Sequence, residues 1–558
     1  MNLLTGTIRW DLRGGSSRDP ADDFYSRCVN LTVQRSGSFA FDQESSDRNS
    51  APGITCALVG YVANLSDLSD DRTDPVVSDV RRIARLYAQR GIHFAPDLDG
   101  DFVLVVVDEQ RRSCFISHGP YGASLPVYYA ANSRGFEFST SLRHLLLRLG
   151  CERRLNVDAA QAFLFGAAVV PDGSTFVDGV SKLLPGTYLA VDAAKGSFEV
   201  MQPRHAKRRP REGSARQLLA SVESTVRYLY GSLLDPQPNL ALTSGYDTNY
   251  LLSVVARWAP GDVRAFTIGG DRINEVPAAA RVVQQYSNVR HNVRVMEPCL
   301  LEAFPDIVWR LEGYVCHTGV FLAYELARLL QDHGCRHIIL GECADQIVDD
   351  TRQRVPLVER VTRRIYGSSL GLGRASKRGL ELSEYACQDY LARLAGQRHR
   401  PAFDVVLDYI LKKSGILLNS FGIQPIYPFL STTTAEIGRF LGESNRSKKA
   451  YIAELKTVLP AACLPHIGCA PGGTDITFLW RGRSQPILAY LAARCVATWL
   501  PGNVWRTVCR APDQYGAFVL KLLFLQLFQD LFIAGRYDTR FGDVDCPERL
   551  SALLTKPE

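Results

Sequence analysis

Between residues 239 and 341 the chain alternates short apolar runs with helix-length amphipathic stretches. Leu240-Ala241-Leu242 leads through a polar turn into a helical pattern over 249–258, and Val263-Arg264-Ala265-Phe266-Thr267-Ile268 follows as a strand. A helical pattern over 275–286, a strand-like run over 289–295, another helical pattern over 321–333 and the strand His337-Ile338-Ile339-Leu340-Gly341 continue the series. Parallel neighbours can be joined only by a long return, so strands and helices alternating at these lengths predict a parallel sheet with crossover helices. From about residue 380 onward the pattern is mostly helical.

The first 200 residues read differently. Phe102-Val103-Leu104-Val105-Val106-Val107 is apolar at every position and ends at Asp108-Glu109, which suits a strand covered on both faces. Ser113-Cys114-Phe115-Ile116-Ser117 follows at hairpin distance. Val127-Tyr128-Tyr129-Ala130 and Phe136-Glu137-Phe138-Ser139, separated by Asn132-Ser133-Arg134-Gly135, form a second hairpin. Val80, Ile83, Ala84 and Tyr87 fall at helical spacing. The basic stretch from Arg204 to Arg211, broken by Pro210, reads as a solvated linker. The expected organisation is therefore residues 1–203, a linker over 204–213, and residues 214–558 as the second domain. A chain of 558 residues has room for two domains at ~100–200 residues each.

Composition narrows the function classes. The net charge of +6 is mild for this length and does not suggest a nucleic-acid binder. No apolar run approaches the ~20 residues of a membrane helix, and Asp11 and Arg13 interrupt the start too early for a secretory segment. The 14 cysteines are scattered, with no C-x-x-C pair, as expected of reduced thiols in a cytoplasmic protein.

In a parallel sheet, ligands bind outside the carboxyl ends of the strands, where loops enter helices. Two loops there carry unusual chemistry. Thr243-Ser244-Gly245-Tyr246-Asp247-Thr248 is small and hydroxylated, so its N–H groups, its hydroxyls and the helix dipole suit a phosphate. Asp247 would repel that phosphate unless a cation lay between them, which marks it as a magnesium ligand. The competing reading is an ordinary turn with Asp247 or Thr248 as helix cap. Gly341-Glu342-Cys343-Ala344-Asp345-Gln346 follows a second strand. It would bring Asp345 opposite Asp247 around one metal and leave Glu342 as a base.

These residues resemble the asparagine synthetase superfamily. Leu242 to Thr248 is similar to its pyrophosphatase loop, Ser-Gly-Gly-x-Asp-Ser, and Leu340 to Gln346 to its Gly-Glu-Gly-Ala-Asp-Glu segment. Phe266-Thr267-Ile268-Gly269 with Asn274-Glu275 resembles the adenine-side strand, and Tyr427-Pro428-Phe429-Leu430 the Tyr-Pro-Phe-Leu-Asp stretch. In the N-terminal part, Gly60-Tyr61-Val62-Ala63-Asn64, Asp99-Gly100-Asp101-Phe102 and Gly119-Pro120-Tyr121-Gly122 follow the order of the family's glutaminase domain.

The resemblance implies an α/β protein: an αββα amidotransferase-like sandwich, then an ATP-pyrophosphatase domain with a helical C-terminal part. It also implies ATP and Mg2+ as cofactors. Leu242, Thr243, Ser244, Gly245, Asp247, Thr248, Thr267, Ile268, Leu340 and Gly341 would hold the nucleotide. Asp247 and Asp345 would hold the metal, and Glu342 would act on the attacking amine.

Two departures shape the expected activity. Asn2 stands where the glutaminase has its nucleophilic cysteine, and Gly60-Tyr61 replaces the Asn-Gly-Glu that holds glutamine. Glutaminase activity is therefore not expected, and the N-terminal domain would serve packing or docking. The family's lysine near Gly468 is also missing, with Lys448, Lys449, His466, Arg481 and Arg483 as alternatives for its charge. Relatives lacking the cysteine include β-lactam and carbapenam synthetases and lasso-peptide macrolactam cyclases. The charged stretch over 350–385 favours the last group. This implies a precursor-peptide substrate, with a companion cysteine protease and a leader-binding protein as partners, and neither nucleic acid nor membrane. A small-molecule ligase and a non-catalytic scaffold stay open.

Overall fold

The computed structural model describes residues 3–10, 29–34, 53–68, 79–119, 121, 124–150, 152–165, 170, 172–201, 212–232, 237–259, 261–270, 274–316, 318–348, 402–443, 447–463, 483–494, 500, 502–512 and 515–534. Most of the basic linker, Asn2, the charged stretch over 350–385, His466, Gly468 and Arg481 lie outside the described residues.

Among the described residues, ten strands build the N-terminal part: β1 (Leu3–Arg9), β2 (Val29–Gln34), β3 (Ile54–Val62), β4 (Gly100–Asp108), β5 (Ser113–His118), β6 (Tyr128–Asn132), β7 (Gly135–Ser139), β8 (Ser181–Lys182), β9 (Tyr188–Asp192) and β10 (Ser197–Met201). They form two antiparallel sheets, ordered β2-β1-β7-β6-β8 and β10-β9-β5-β4-β3. The apolar run of β4 shows why the layers stack as they do. Side chains alternate across a strand, so Val103, Val105 and Val107 enter the core between the sheets with Ile8, Phe136 and Phe138. Phe102, Leu104 and Val106 face the other way, onto Val80, Ile83 and Tyr87 of helix α1 (Asp79–Arg90). On the opposite side, Leu142 and Leu145 of α2 (Leu142–Leu149) cover the first sheet. The result is an αββα sandwich.

Gly60 and Gly100 sit where β3 and β4 begin their pairing, with φ of +102° and +143°. A Cβ on Gly60 would fall 2.1 Å from the Asp101 carbonyl oxygen, so the two strands approach more closely there than any side chain allows.

The parallel sheet comprises β11 (Asn239–Ala241), β12 (Val263–Gly269), β13 (Val289–Val295), β14 (His337–Ile339) and β15 (Gln424–Ile426). Its order is β13-β12-β11-β14-β15, and all four pairings are parallel, as the alternation predicts. After α3 (Val157–Phe165) in the sandwich, the helices that matter for the site are α4 (Tyr246–Trp258), α5 (Val276–Val283), α6 (Gly319–Asp332), α7 (Ala344–Val348), α8 (Ala402–Ser420), α9 (Ser447–Val458) and α10 (Gly516–Phe528). The sandwich and the parallel-sheet part share one continuous apolar core, in which Phe163 of α3 stacks on Phe524 of α10 with ring centroids 5.5 Å apart.

The described cysteines are free thiols. Among the described residues no helix is long and apolar enough to cross a membrane.

Candidate active site at the centre of the parallel sheet

β11 and β14 are neighbours, with Leu240 opposite Ile339. From this pair the chain builds outward to β12 and β13 on one side and to β15 on the other. The order therefore reverses between β11 and β14, and in parallel sheets ligands bind beyond the carboxyl ends of the strands at such a reversal. The loops that leave these two strands are the two singled out in the sequence.

The first loop is a turn bonded within itself. Leu242 is buried, and its N–H donates to the Phe266 carbonyl at 2.8 Å. The hydroxyls of Thr243 and Thr248 lie 2.9 Å apart, and Gly245 N–H donates to Thr243 Oγ1 at 3.1 Å. Ser244 Oγ donates to Glu275 Oε1, just before α5, at 3.0 Å. The loop hydroxyls expected to face an anion thus have partners inside the fold. What the turn leaves for an anion is the opening of α4, whose first N–H groups lack intrahelical acceptors.

Helix α4 starts at Tyr246, three positions before the apolar pattern, because that pattern marks only the buried face and the polar first turn carries no periodic signal. Gly245 is the N-cap, with no side-chain capping bond, so neither Asp247 nor Thr248 is the cap. Asp247 lies in the first turn, and its Oδ1 accepts the Tyr451 phenol of α9 at 2.6 Å.

The second loop closes on the first. A Cβ on Gly341 would fall 2.7 Å from Thr248 Cγ2 and 3.6 Å from Asp247 Cβ. Only glycine lets this backbone lie against the opening of α4. Cys343 then adopts φ +77°, in the left-handed region, and is buried. Burial, and next the charge of Glu342, push its thiol well above the ordinary range, so it is a poor nucleophile.

Glu342 Oε1 accepts from Ser414 Oγ at 2.6 Å and pairs with Lys413 Nζ at 3.1 Å, both from α8. Its Oε2 is buried with no hydrogen-bond partner among the described residues. The phenol of Tyr427, following β15, is pushed well up by burial, then by the charges of Glu342 and Asp101. Asp345 lies on α7, directly after this loop; its side chain is outside the described residues. Among the described residues no three His, Cys, Asp or Glu gather as a metal cluster.

On the side expected to face adenosine, Ile268 at the end of β12 and Leu340 after β14 are buried. Thr267 turns inward: its hydroxyl lies 2.8 Å from the Leu242 carbonyl and 2.8 Å from His291 Nε2. It stitches β12 to its neighbours rather than presenting its side chain to a ligand.

Among the basic residues weighed for the missing lysine, Arg483 is committed to Glu302 at 2.6 Å. Lys448 and Lys449 are exposed at the start of α9, with Lys448 one turn before Tyr451. Sequence reasoning missed Tyr451, Lys413 and Ser414, which carry no local motif.

Residues 64–202 match the model of the glutamine amidotransferase domain, and residues 235–465 match that of asparagine synthase. Amidase chry2 of Gibberella zeae is 22% identical over 343 residues, which is 57% of this chain and 49% of that protein. A probable glutamine-hydrolysing asparagine synthetase of Dictyostelium discoideum is 23% identical over 319 residues, 53% of this chain and 52% of its own length. Amidase chyE of Penicillium rubens is 23% identical over 299 residues, 48% of this chain and 42% of that protein. The chain thus spans about half the length of the curated relatives it matches. With these two domain types in this order on the fold described, the chain belongs to the asparagine synthetase superfamily.

Proposed function

We propose that the protein is an ATP-dependent amide ligase that activates a carboxylate as its adenylate and delivers it to an amine. The observation that carries this reading is the contact of the two loops at adjacent strand ends, with Gly341 packed on Asp247 and Thr248. That approach brings the start of α4 and the Glu342 loop side by side.

The residues there fit a magnesium nucleotide. Mg2+ usually takes one or two carboxylates and completes its shell with water and phosphate, so Asp247 and Asp345 would hold it. Bound there, it neutralises charge on the leaving pyrophosphate. The N–H groups opening α4 bind the same phosphates, and Ile268, Leu340 and Gly341 border the adenosine. Glu342 takes the proton that the amine loses as it attacks, with Ser414 and Lys413 orienting the carboxylate.

For the substrate, we favour a precursor peptide whose side-chain carboxylate is joined to its own N-terminal amine, a macrolactam closure of the lasso-peptide type. A companion protease and a leader-binding protein would supply that peptide. One feature supports it: Tyr61, in the segment that replaces the glutamine-binding motif, is buried, with its hydroxyl accepting the N–H of Tyr427 after β15 at 3.3 Å. A ligase for a small amino acid is the second reading, favoured by the retained acid at Glu342.

ATP–pyrophosphate exchange with precursor peptides and with free amino acids separates the two, and mass spectrometry reads loss of one water from a cyclised peptide. Asp247→Ala and Asp345→Ala should each abolish exchange. Activity retained in both variants would sink the assignment.

A further inference from the structure

Helix α8 carries a glycine in its interior, Gly415, where alanine would favour the helix. The reason lies in the other domain. A Cβ at this position would stand 2.4 Å from Ser124 Cβ and 2.7 Å from Ser124 Cα, so the helix and the loop after β5 touch backbone to backbone. The contact continues along the helix. Lys412 Nζ donates to the Leu125 carbonyl at 2.8 Å, and Asn419 Nδ2 donates to Ser124 Oγ at 2.9 Å. Asp101 at the start of β4 fixes the loop itself, accepting the Ser124 N–H at 2.6 Å on one oxygen and Gln424 Nε2 of β15 at 3.1 Å on the other. Lys412, Asn419, Ser124, Asp101 and Gln424 are all buried.

Between Lys412 and Gly415, the same helix presents Lys413 and Ser414, the two residues that hold Glu342. We propose that the N-terminal domain is a positioning element for the ligase site: Asp101 and Ser124 fix α8 so that Lys413 and Ser414 aim the Glu342 carboxylate. The role given to Glu342 rests on the function proposed above; the mechanical link does not. The N-terminal domain would thereby serve the ligase site through geometry, whatever its own activity. Asp101, Ser124, Gly415 and Asn419 act as positioning residues, through Lys413 and Ser414.

The test uses the full chain with Asn419→Ala and, as the stronger perturbation, Gly415→Ala. Hydrogen–deuterium exchange followed by mass spectrometry should show amides of 340–346 and 411–420 exchanging about tenfold faster, with 243–248 unchanged. In the ligase assay with precursor peptide, amide formation should fall about tenfold while ATP–pyrophosphate exchange stays near wild type. Asn419→Ala combined with Ser414→Ala should lose little more than Ser414→Ala alone, since both act through one carboxylate. Wild-type exchange at 340–346 in both single variants overturns the inference, as does full additivity of the pair. If the wild type shows no ATP–pyrophosphate exchange with any carboxylate, the ligase reading falls, and the deuterium measurement still decides the link between the domains.

Discussion

Tyr451 and Asp247 stand 204 positions apart and share a hydrogen bond of 2.6 Å, phenol to carboxylate. The bond ties α9 to the opening of α4 and helps to orient the Asp247 carboxylate in that turn. A hydrogen bond to a charged group is worth about 1.5–3 kcal/mol. Tyr451→Phe should therefore lower kcat/KM for ATP by about ten- to a hundredfold, with the far-ultraviolet spectrum unchanged. Steady-state kinetics over a range of magnesium concentrations would check this. An unchanged kcat/KM would mean that Asp247 needs no help to find its place.

Gly341 is the other half of the same geometry. In Gly341→Ala the new methyl group meets Thr248 Cγ2 at 2.7 Å, and Thr248 is held by its own bonds to Thr243. The loops must separate, at a cost of about 1–3 kcal/mol of stability for an overpacked site. Activity should suffer more than stability does. Comparing the shift in unfolding midpoint with the loss of pyrophosphate exchange tests this, and parallel small losses in both would count against it.

Another link between the domains is electrostatic. Glu312, at φ +51°, accepts from Ser141 Oγ at 2.6 Å, Leu142 N–H at 2.6 Å and Arg143 Nε at 2.8 Å, all at the start of α2. Arg143 is buried and lies over the Trp309 ring at 4.6 Å. Removing Glu312 takes away three buried hydrogen bonds and the partner of a buried cation, so Glu312→Ala should cost about 3–5 kcal/mol. Adding Arg143→Met to that variant should recover part of the loss. Urea unfolding of the single and double variants measures both, and a double variant no better than the single one would contradict the pairing.

Lys521 of α10 is buried and donates to the Leu164 carbonyl of α3 at 2.6 Å. Burial pushes its ammonium down to about 7 from 10.5, partly opposed by Cys316. Between these values the unfolded chain holds a proton that the native chain has released, so stability from this group rises with pH. Below about 7 the native state carries a buried charge and bears the full penalty. The melting temperature of Lys521→Met should exceed that of the wild type most below pH 7, and the gap should narrow as pH rises toward 10. A gap independent of pH would refute the assignment.

Local order was plain in the amino-acid sequence. The alternating strands and helices of 239–341, the doubly buried β4 and the two loops at strand ends each depend on residues a few positions apart, where periodicity and turn chemistry operate. Those features led to the parallel sheet, the strand-rich N-terminal part and the neighbourhood of Asp247 and Glu342, while the sandwich was implied by the family resemblance. The partners of these two acids were not legible. Tyr451, Lys413 and Ser414 occupy ordinary positions on amphipathic helices, and nothing near them in the chain distinguishes them from solvated residues. Their roles come from the packing of α8 and α9 against loops 72 and 204 positions away, and contacts at such separations leave no periodic trace. The inward turn of Thr267 and the commitment of Arg483 to Glu302 have the same origin: a polar side chain bonds to whatever the fold brings within about 3 Å, and only the assembled chain decides what that is.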